Sequence, residues 1–229
     1  MDLDSFRISK GGNRDIHVTP KGEHNKTLIW MHGLGDSAQG FLPVFASADS
    51  PMQKDTKVRL LTAPESPVSI NGGMAMNSWF DILSLDWTPE SYSFKNVETN
   101  AKMVNNVIDE EIAKLGGRSE QVFVGGFSQG CAMALHTGLT YPKTLGGIIG
   151  LSGFKFQQTK ASTANQNTPV FLAHGKNDSM IPIQAAQVSY AIEDFIKKTN
   201  VKFSPIPNCD HEPAPLMLKL LREFVIKLK

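Results

Sequence analysis

The sequence is 229 residues long, with 41% hydrophobic, 20% charged and 8% aromatic residues, enough apolar content and little enough net charge to exclude a disordered chain. Its 23 basic and 22 acidic side chains leave a formal net charge of +1, which offers no electrostatic footprint for nucleic acid and no polybasic face for anionic lipid. The two cysteines, Cys131 and Cys209, cannot build a disulfide framework and indicate a reducing, cytoplasmic compartment.

The N-terminal stretch Met1 to Arg7 contains Asp2 and Asp4 and no apolar run, so it does not read as a secretory signal. Strands are predicted where short apolar runs end at turn residues: Thr27 to Met31 before His32-Gly33, and Val58 to Ala63 before Pro64. Pro64 to Lys95 is long, aromatic and poorly periodic, and is expected to be functional or partly structured. Val97, Ala101, Val104, Ile108, Ile112 and Leu115 follow helical spacing, with Gly116-Gly117 as the stop. Next come a strand over Gln121 to Val124, a helix over Cys131 to Leu139, and strands over Leu145 to Leu151 and Pro169 to Ala173. Ile183 to Ile196 reads as a helix, Val201 to Phe203 as a weaker strand, and Leu216 to Leu228 as a final amphipathic helix. The span from Gln121 to Pro142 is uncharged and long enough to cross a bilayer, but Gly125-Gly126, Ser128-Gln129-Gly130 and His136 break it into strand, turn and helix. Strands alternating with helices indicate a mostly parallel central sheet with helices on both faces. No internal repeat is visible, so one α/β domain over residues 1–229 is expected, with residues 66–95 as a loop or lid lining a pocket.

Gly126-Phe127-Ser128-Gln129-Gly130 lies between a predicted strand and a predicted helix. That context makes it a nucleophile elbow, in which Ser128 is held on a strained turn with its hydroxyl above the sheet edge. A serine hydroxyl needs a base, and on such an elbow the partners follow in the order Ser, acid, His. Of six histidines, only His211 comes after an available acid. His174 precedes every acid that could orient it. Asp178, directly after the strand ending at Ala173, is the acid of choice; Asp194 falls inside a predicted helix, and Asp210 is too close in sequence to serve its neighbour's ring. An oxyanion hole needs two inward backbone amides. Gln129 follows the nucleophile, and Leu34 lies between the glycines of His32-Gly33-Leu34-Gly35-Asp36. His32 is expected to buttress that loop.

These segments, together with Asn71 to Ile82 and His174 to Pro182, resemble the acyl-protein thioesterases and their carboxylesterase/lysophospholipase relatives, which are α/β-hydrolases. The Met-Ala-Met-Asn-Ser-Trp-Phe-Asp-Ile stretch is the most specific part of the likeness. The resemblance implies a triad of Ser128, Asp178 and His211, with the Leu34 and Gln129 amides as the oxyanion hole. It also implies a hydrophobic acyl site beside Met74, Met76, Trp79 and Phe80, with Phe154 near the pocket. Flexible thioethers and large rings suit a chain of variable length. The chain departs from the family at Asn208-Cys209-Asp210-His211-Glu212-Pro213, where Asp210 and Glu212 flank the imidazole with negative charge; this raises the expectation of an activity profile moved toward higher pH. Cys131 replaces the small glycine common after the elbow and is expected to pack rather than react.

The expected activity is hydrolysis of fatty acyl thioesters or esters, with S-acylated proteins as substrates and no cofactor or metal. The chain is expected to meet those substrates by transient contact with a membrane surface, as a monomer or weak homodimer, without nucleic acid. Three rivals stay open: a general carboxylesterase or lysophospholipase acting on small or lysolipid esters, an acyl-binding protein without turnover, and a structural or interaction module favoured only by the segment around Ser84 to Ser93.

Overall fold

A computed structural model of the chain describes residues 5–228; Asp2 and Asp4, on which the reading of the N-terminus rests, lie outside them. In chain order the elements are β1 (Phe6–Lys10), β2 (Ile16–Pro20), β3 (Lys26–Met31), α1 (Ala38–Phe45), β4 (Thr56–Leu61), β5 (Glu65–Val68), β6 (Met74–Asn77) and α2 (Phe94–Lys114). They continue with β7 (Val122–Phe127), α3 (Gln129–Thr140), β8 (Gly147–Leu151), β9 (Val170–Gly175), α4 (Ile183–Ala191), β10 (Val201–Ile206) and α5 (Pro215–Lys227). Eight strands form one sheet in the order β1-β2-β4-β3-β7-β8-β9-β10. From β4 through β10 all neighbours are parallel, whereas β1 and β2 form an antiparallel edge.

Strand periodicity decides which helix covers which face. On β3, Ile29 and Met31 join the core under α2 and α3, while Leu28 and Trp30 point the other way, into the core under α1 and α5. Cys131, Leu135 and Leu139 of α3 meet Ala186 and Tyr190 of α4 over β8 and β9. Both faces of the central strands are therefore dry, as their unbroken apolar runs require. Among the described residues no helix is long and apolar enough to cross a membrane.

Several features differ from the sequence expectation. The β1–β2 edge was not visible as strand, because β1 is largely exposed and only β2 alternates buried with half-buried positions. The predicted helix beyond Ile183 stops at Ala191, where Glu193 and Asp194 take left-handed φ values of 58° and 54° that an α-helix cannot accommodate. Within Pro64 to Lys95, β5 and β6 pair as an antiparallel hairpin whose turn uses Gly72 and Gly73 at φ 66° and 79°.

Candidate active site

The site sits where the parallel strands end. β7 runs into Ser128, whose φ of 56° and ψ of −119° are unfavourable for any residue with a Cβ. The flanking positions must be glycine for a measurable reason: a Cβ on Gly126 would lie 2.2 Å from the Gly130 carbonyl oxygen, and one on Gly130 would lie 2.2 Å from that of Met31. The turn is fixed by the Ser128 amide, which donates to the Leu151 carbonyl at 2.8 Å. The loop after β9 carries Asp178, and the loop after β10 carries His211.

These three residues meet. His211 Nε2 lies 2.8 Å from Ser128 Oγ, and His211 Nδ1 lies 2.8 Å from Asp178 Oδ2. The other carboxylate oxygen of Asp178, Oδ1, accepts from the Met180 amide at 3.0 Å and the Ile181 amide at 2.8 Å. Burial by itself pushes this carboxyl up, but hydrogen bonds from His174, His211 and the Ile181 amide outweigh it and hold Asp178 well below the usual carboxylate range. An ionised Asp178 requires a proton on His211 Nδ1. That leaves Nε2 as the acceptor for the serine hydroxyl, the arrangement a general base needs.

His174, excluded as a base by its place in the sequence, stands behind the acid. Its fully buried Nε2 lies 2.8 Å from the Ile181 carbonyl and 3.3 Å from Asp178 Oδ2, so Nε2 carries the proton and donates to both. Position four residues before Asp178 was the only signal for this role. Asp210 does not serve the ring either: its Oδ1 accepts from the Ser179 amide and hydroxyl and from the His211 amide at 2.8–2.9 Å, tying the two site loops together.

The Gln129 amide begins α3, directly after the nucleophile. The Leu34 segment is adjacent: a Cβ on Gly33 would come within 3.3 Å of Ser128 Cβ. His32 supports this loop as expected. Its Nε2 accepts from the Ala63 amide at 3.0 Å, which places the proton on Nδ1, 2.5 Å from the Gly33 carbonyl. Burial lowers its affinity for a second proton, consistent with a neutral ring.

The side chain of Gln129 has a role the sequence did not announce. Its Oε1 accepts from the Trp79 amide at 2.8 Å, and its Nε2 donates to Ser78 Oγ at 3.0 Å and the Phe80 carbonyl at 2.6 Å. Trp79 Nε1 in turn donates to the His32 carbonyl at 2.9 Å. Trp79 and Phe80 are fully enclosed, which corrects their expected place on an acyl-lining surface. They brace the elbow and the loop before it, because their backbone and indole polar groups must find internal partners.

Phe154 is placed differently. Its ring packs 5.6 Å from Trp87 and 5.5 Å from Tyr92, and with them it lines a cavity of about 230 Å³ that also touches Lys155, Val188 and Ile192. Met76 is half-buried at the end of the β5–β6 hairpin, and Met74 is 64% exposed on it. Cys131 lies fully buried under Gly150 and Gly153, and burial pushes its thiol up to about 12, so it is packing. Among the described residues no group of three or more His, Cys, Asp or Glu is arranged to hold a metal ion.

The chain is similar to known proteins in sequence and fold. Residues 14–229 match the phospholipase/carboxylesterase family. The acyl-protein thioesterase 1 of Saccharomyces cerevisiae is 35% identical over 88% of this chain and 92% of its own length, and that of Yarrowia lipolytica is 36% identical over 79% and 80%. The crystal structure of Zea mays acyl-protein thioesterase 2 superposes with a TM-score of 0.80 at 27% identity, covering 93% of this chain and 98% of that one. Arabidopsis thaliana SOBER1 superposes with a TM-score of 0.77 at 31% identity, covering 88% and 98%. The chain therefore belongs to the phospholipase/carboxylesterase family of serine α/β-hydrolases.

Proposed function

We propose that this chain hydrolyses fatty acyl thioesters and oxygen esters, with S-acylated protein cysteines as its main substrate class. The observation that carries the reading is the unbroken relay from Ser128 Oγ through the His211 ring to Asp178 Oδ2, with both contacts at 2.8 Å. Ser128 attacks the acyl carbon while His211 Nε2 takes its proton. The negative charge that develops on the carbonyl oxygen is met by the Leu34 and Gln129 amides, whose positions are set before the reaction begins. Collapse expels the thiol or alcohol, protonated by His211, and leaves the acyl group esterified to Ser128. A water molecule, deprotonated by the same nitrogen, then releases the fatty acid. Asp178 stays ionised throughout and holds the imidazole in one tautomer.

The acyl preference is supported by the relatives named acyl-protein thioesterase. The whole chain acts as one hydrolase unit in the cytoplasm, with residues 66–95 as the pocket wall. Met74 on the hairpin and Met180 beside Asp178 are 64% and 54% exposed, an apolar rim suited to transient contact with the membrane surface where lipidated proteins reside. Rates on an S-palmitoylated peptide and on p-nitrophenyl esters of increasing chain length test the reading. kcat/KM should rise with chain length and vanish in Ser128→Ala. A preference for the shortest esters would instead favour a general carboxylesterase, the name carried by the 34% identical Arabidopsis relative. Absence of any Ser128-dependent turnover would leave a binding protein.

A further inference from the structure

We infer that Asn77 is a positioning residue for the oxyanion loop and that Arg14 acts through it. The inference rests on the reading of the Leu34 amide as an oxyanion donor. Asn77 ends β6, and it grips the two residues that follow Leu34. Its main-chain carbonyl accepts from the Gly35 amide at 2.9 Å, and its Nδ2 donates to the Asp36 carbonyl at 2.7 Å. The remaining atom of that side chain, Oδ1, accepts from Arg14 Nη2 at 2.7 Å. Arg14 thereby selects the orientation of the amide: a flipped Asn77 would set an N–H against the guanidinium and an oxygen against the Asp36 carbonyl.

Arg14 reaches this position from an unusual turn. Asn13 and Arg14 have φ values of 54° and 63°, a left-handed conformation that asparagine tolerates but that is costly for an arginine unless the surroundings enforce it. Here Thr62 enforces it. The Thr62 carbonyl accepts from Asn13 Nδ2 at 3.0 Å, and Thr62 Oγ1 donates to the Arg14 carbonyl at 3.1 Å. The same hydroxyl accepts from the Ala38 amide at 3.1 Å, where the loop passes into α1. The segment between His32 and Ala38 is therefore held at its middle by Asn77 and at its far end by Thr62. Displacing the Leu34 amide by a fraction of an ångström weakens its contact with the charged intermediate more than with the neutral ester, so the cost falls on kcat rather than KM.

Steady-state kinetics with p-nitrophenyl butyrate, together with inhibition by an alkyl trifluoromethyl ketone whose serine adduct carries the same oxyanion, test the assignment. Asn77→Ala should lower kcat about tenfold, less than outright loss of an oxyanion donor, with KM within about twofold, and should raise the inhibition constant by the same factor as the loss in kcat. Arg14→Ala should lower kcat about threefold, Arg14→Lys should recover part of that, and Arg14→Ala should add nothing in the Asn77→Ala background. Unchanged kcat and inhibition constant in Asn77→Ala would overturn the inference, as would losses in KM and Tm at constant kcat. Should Asn77→Ala not fold, additive behaviour of Arg14→Ala with Asn77→Asp overturns it equally. A wild type without Ser128-dependent turnover would instead overturn the reading beneath it.

Discussion

At the carboxyl ends of β7, β9 and β10 a single buried carboxylate, Asp178, is held between two imidazoles and two backbone amides. Near the other end of the sheet a second fully buried carboxylate, Glu111 of α2, is held by lysine and arginine side chains. Lys57 Nζ approaches it at 2.7 Å, Lys114 Nζ at 2.8 Å and Arg59 Nη1 at 3.3 Å. Burial pushes the Glu111 carboxyl up, but hydrogen bonds and charge from Lys114 and Lys57 hold it at about 2. Both carboxylates are ionised, but the first is held by imidazole rings and backbone amides and the second by ammonium and guanidinium groups. One carboxylate is held by the rings of the proposed relay, and the other holds α2 against β4.

Variants that break this contrast fall in order of size. Ser128→Ala should cost up to ~10⁶ in kcat on a long-chain thioester, as in dissected triads. Asp178→Asn should cost about 10⁴, because an amide there can pair with the wrong tautomer of His211. Neither change should lower the urea midpoint greatly, whereas Glu111→Gln should leave kcat near wild type and lower stability by about 3–5 kcal/mol. That loss reflects Lys57 left buried without its counter-charge, whereas Arg59 keeps Glu110 and Asp15, and equilibrium denaturation measures it. Comparable activity losses in Glu111→Gln and Asp178→Asn would erase the distinction.

A smaller effect sharpens it with pH. Burial, with Lys155 nearby, lowers the His136 pKa from 6.5 to about 4. A folded state that binds this proton less tightly than the unfolded chain is fully stabilised above pH 6.5 and loses that contribution as pH falls to about 4. At about 1.4 kcal/mol per pH unit, His136 accounts for roughly 3 kcal/mol. Asp15 works in the opposite direction, since burial raises it to about 6 and favours the folded state as it takes up a proton. The difference between wild type and His136→Gln in urea unfolding at pH 7 and pH 4.5 isolates the histidine; the variant should be the less acid-sensitive. Equal sensitivity would show that His136 does not remain neutral in the fold.

The meeting of Ser128, Asp178 and His211 was legible because its logic is one-dimensional. A strand, a glycine-flanked serine, then an acid and a histidine in fixed order can be read without knowing what touches what. The central strands were legible for a related reason: burial on both faces leaves unbroken apolar runs. What escaped depends on contacts between distant segments. Nothing local marks Gln129 as the tie to Trp79, fifty residues away in sequence, or Glu111 as the counter-charge for Lys57, fifty-four residues away. β1 was hidden by its exposure, and α1 by its eight-residue length and internal Pro43. Trp79 and Phe80 show the reverse error: large apolar side chains in the most family-specific segment suggested a ligand surface, but they are the brace behind it.

Labelling of the intact protein with an alkyl fluorophosphonate, followed by peptide mass mapping, tests the central claim most directly. The relay from Ser128 to His211 to Asp178 requires one adduct per chain, on Ser128, formed quickly in wild type and very slowly in His211→Ala. A folded protein that stays unlabelled, or that is labelled at Ser128 equally fast without the imidazole, would contradict it.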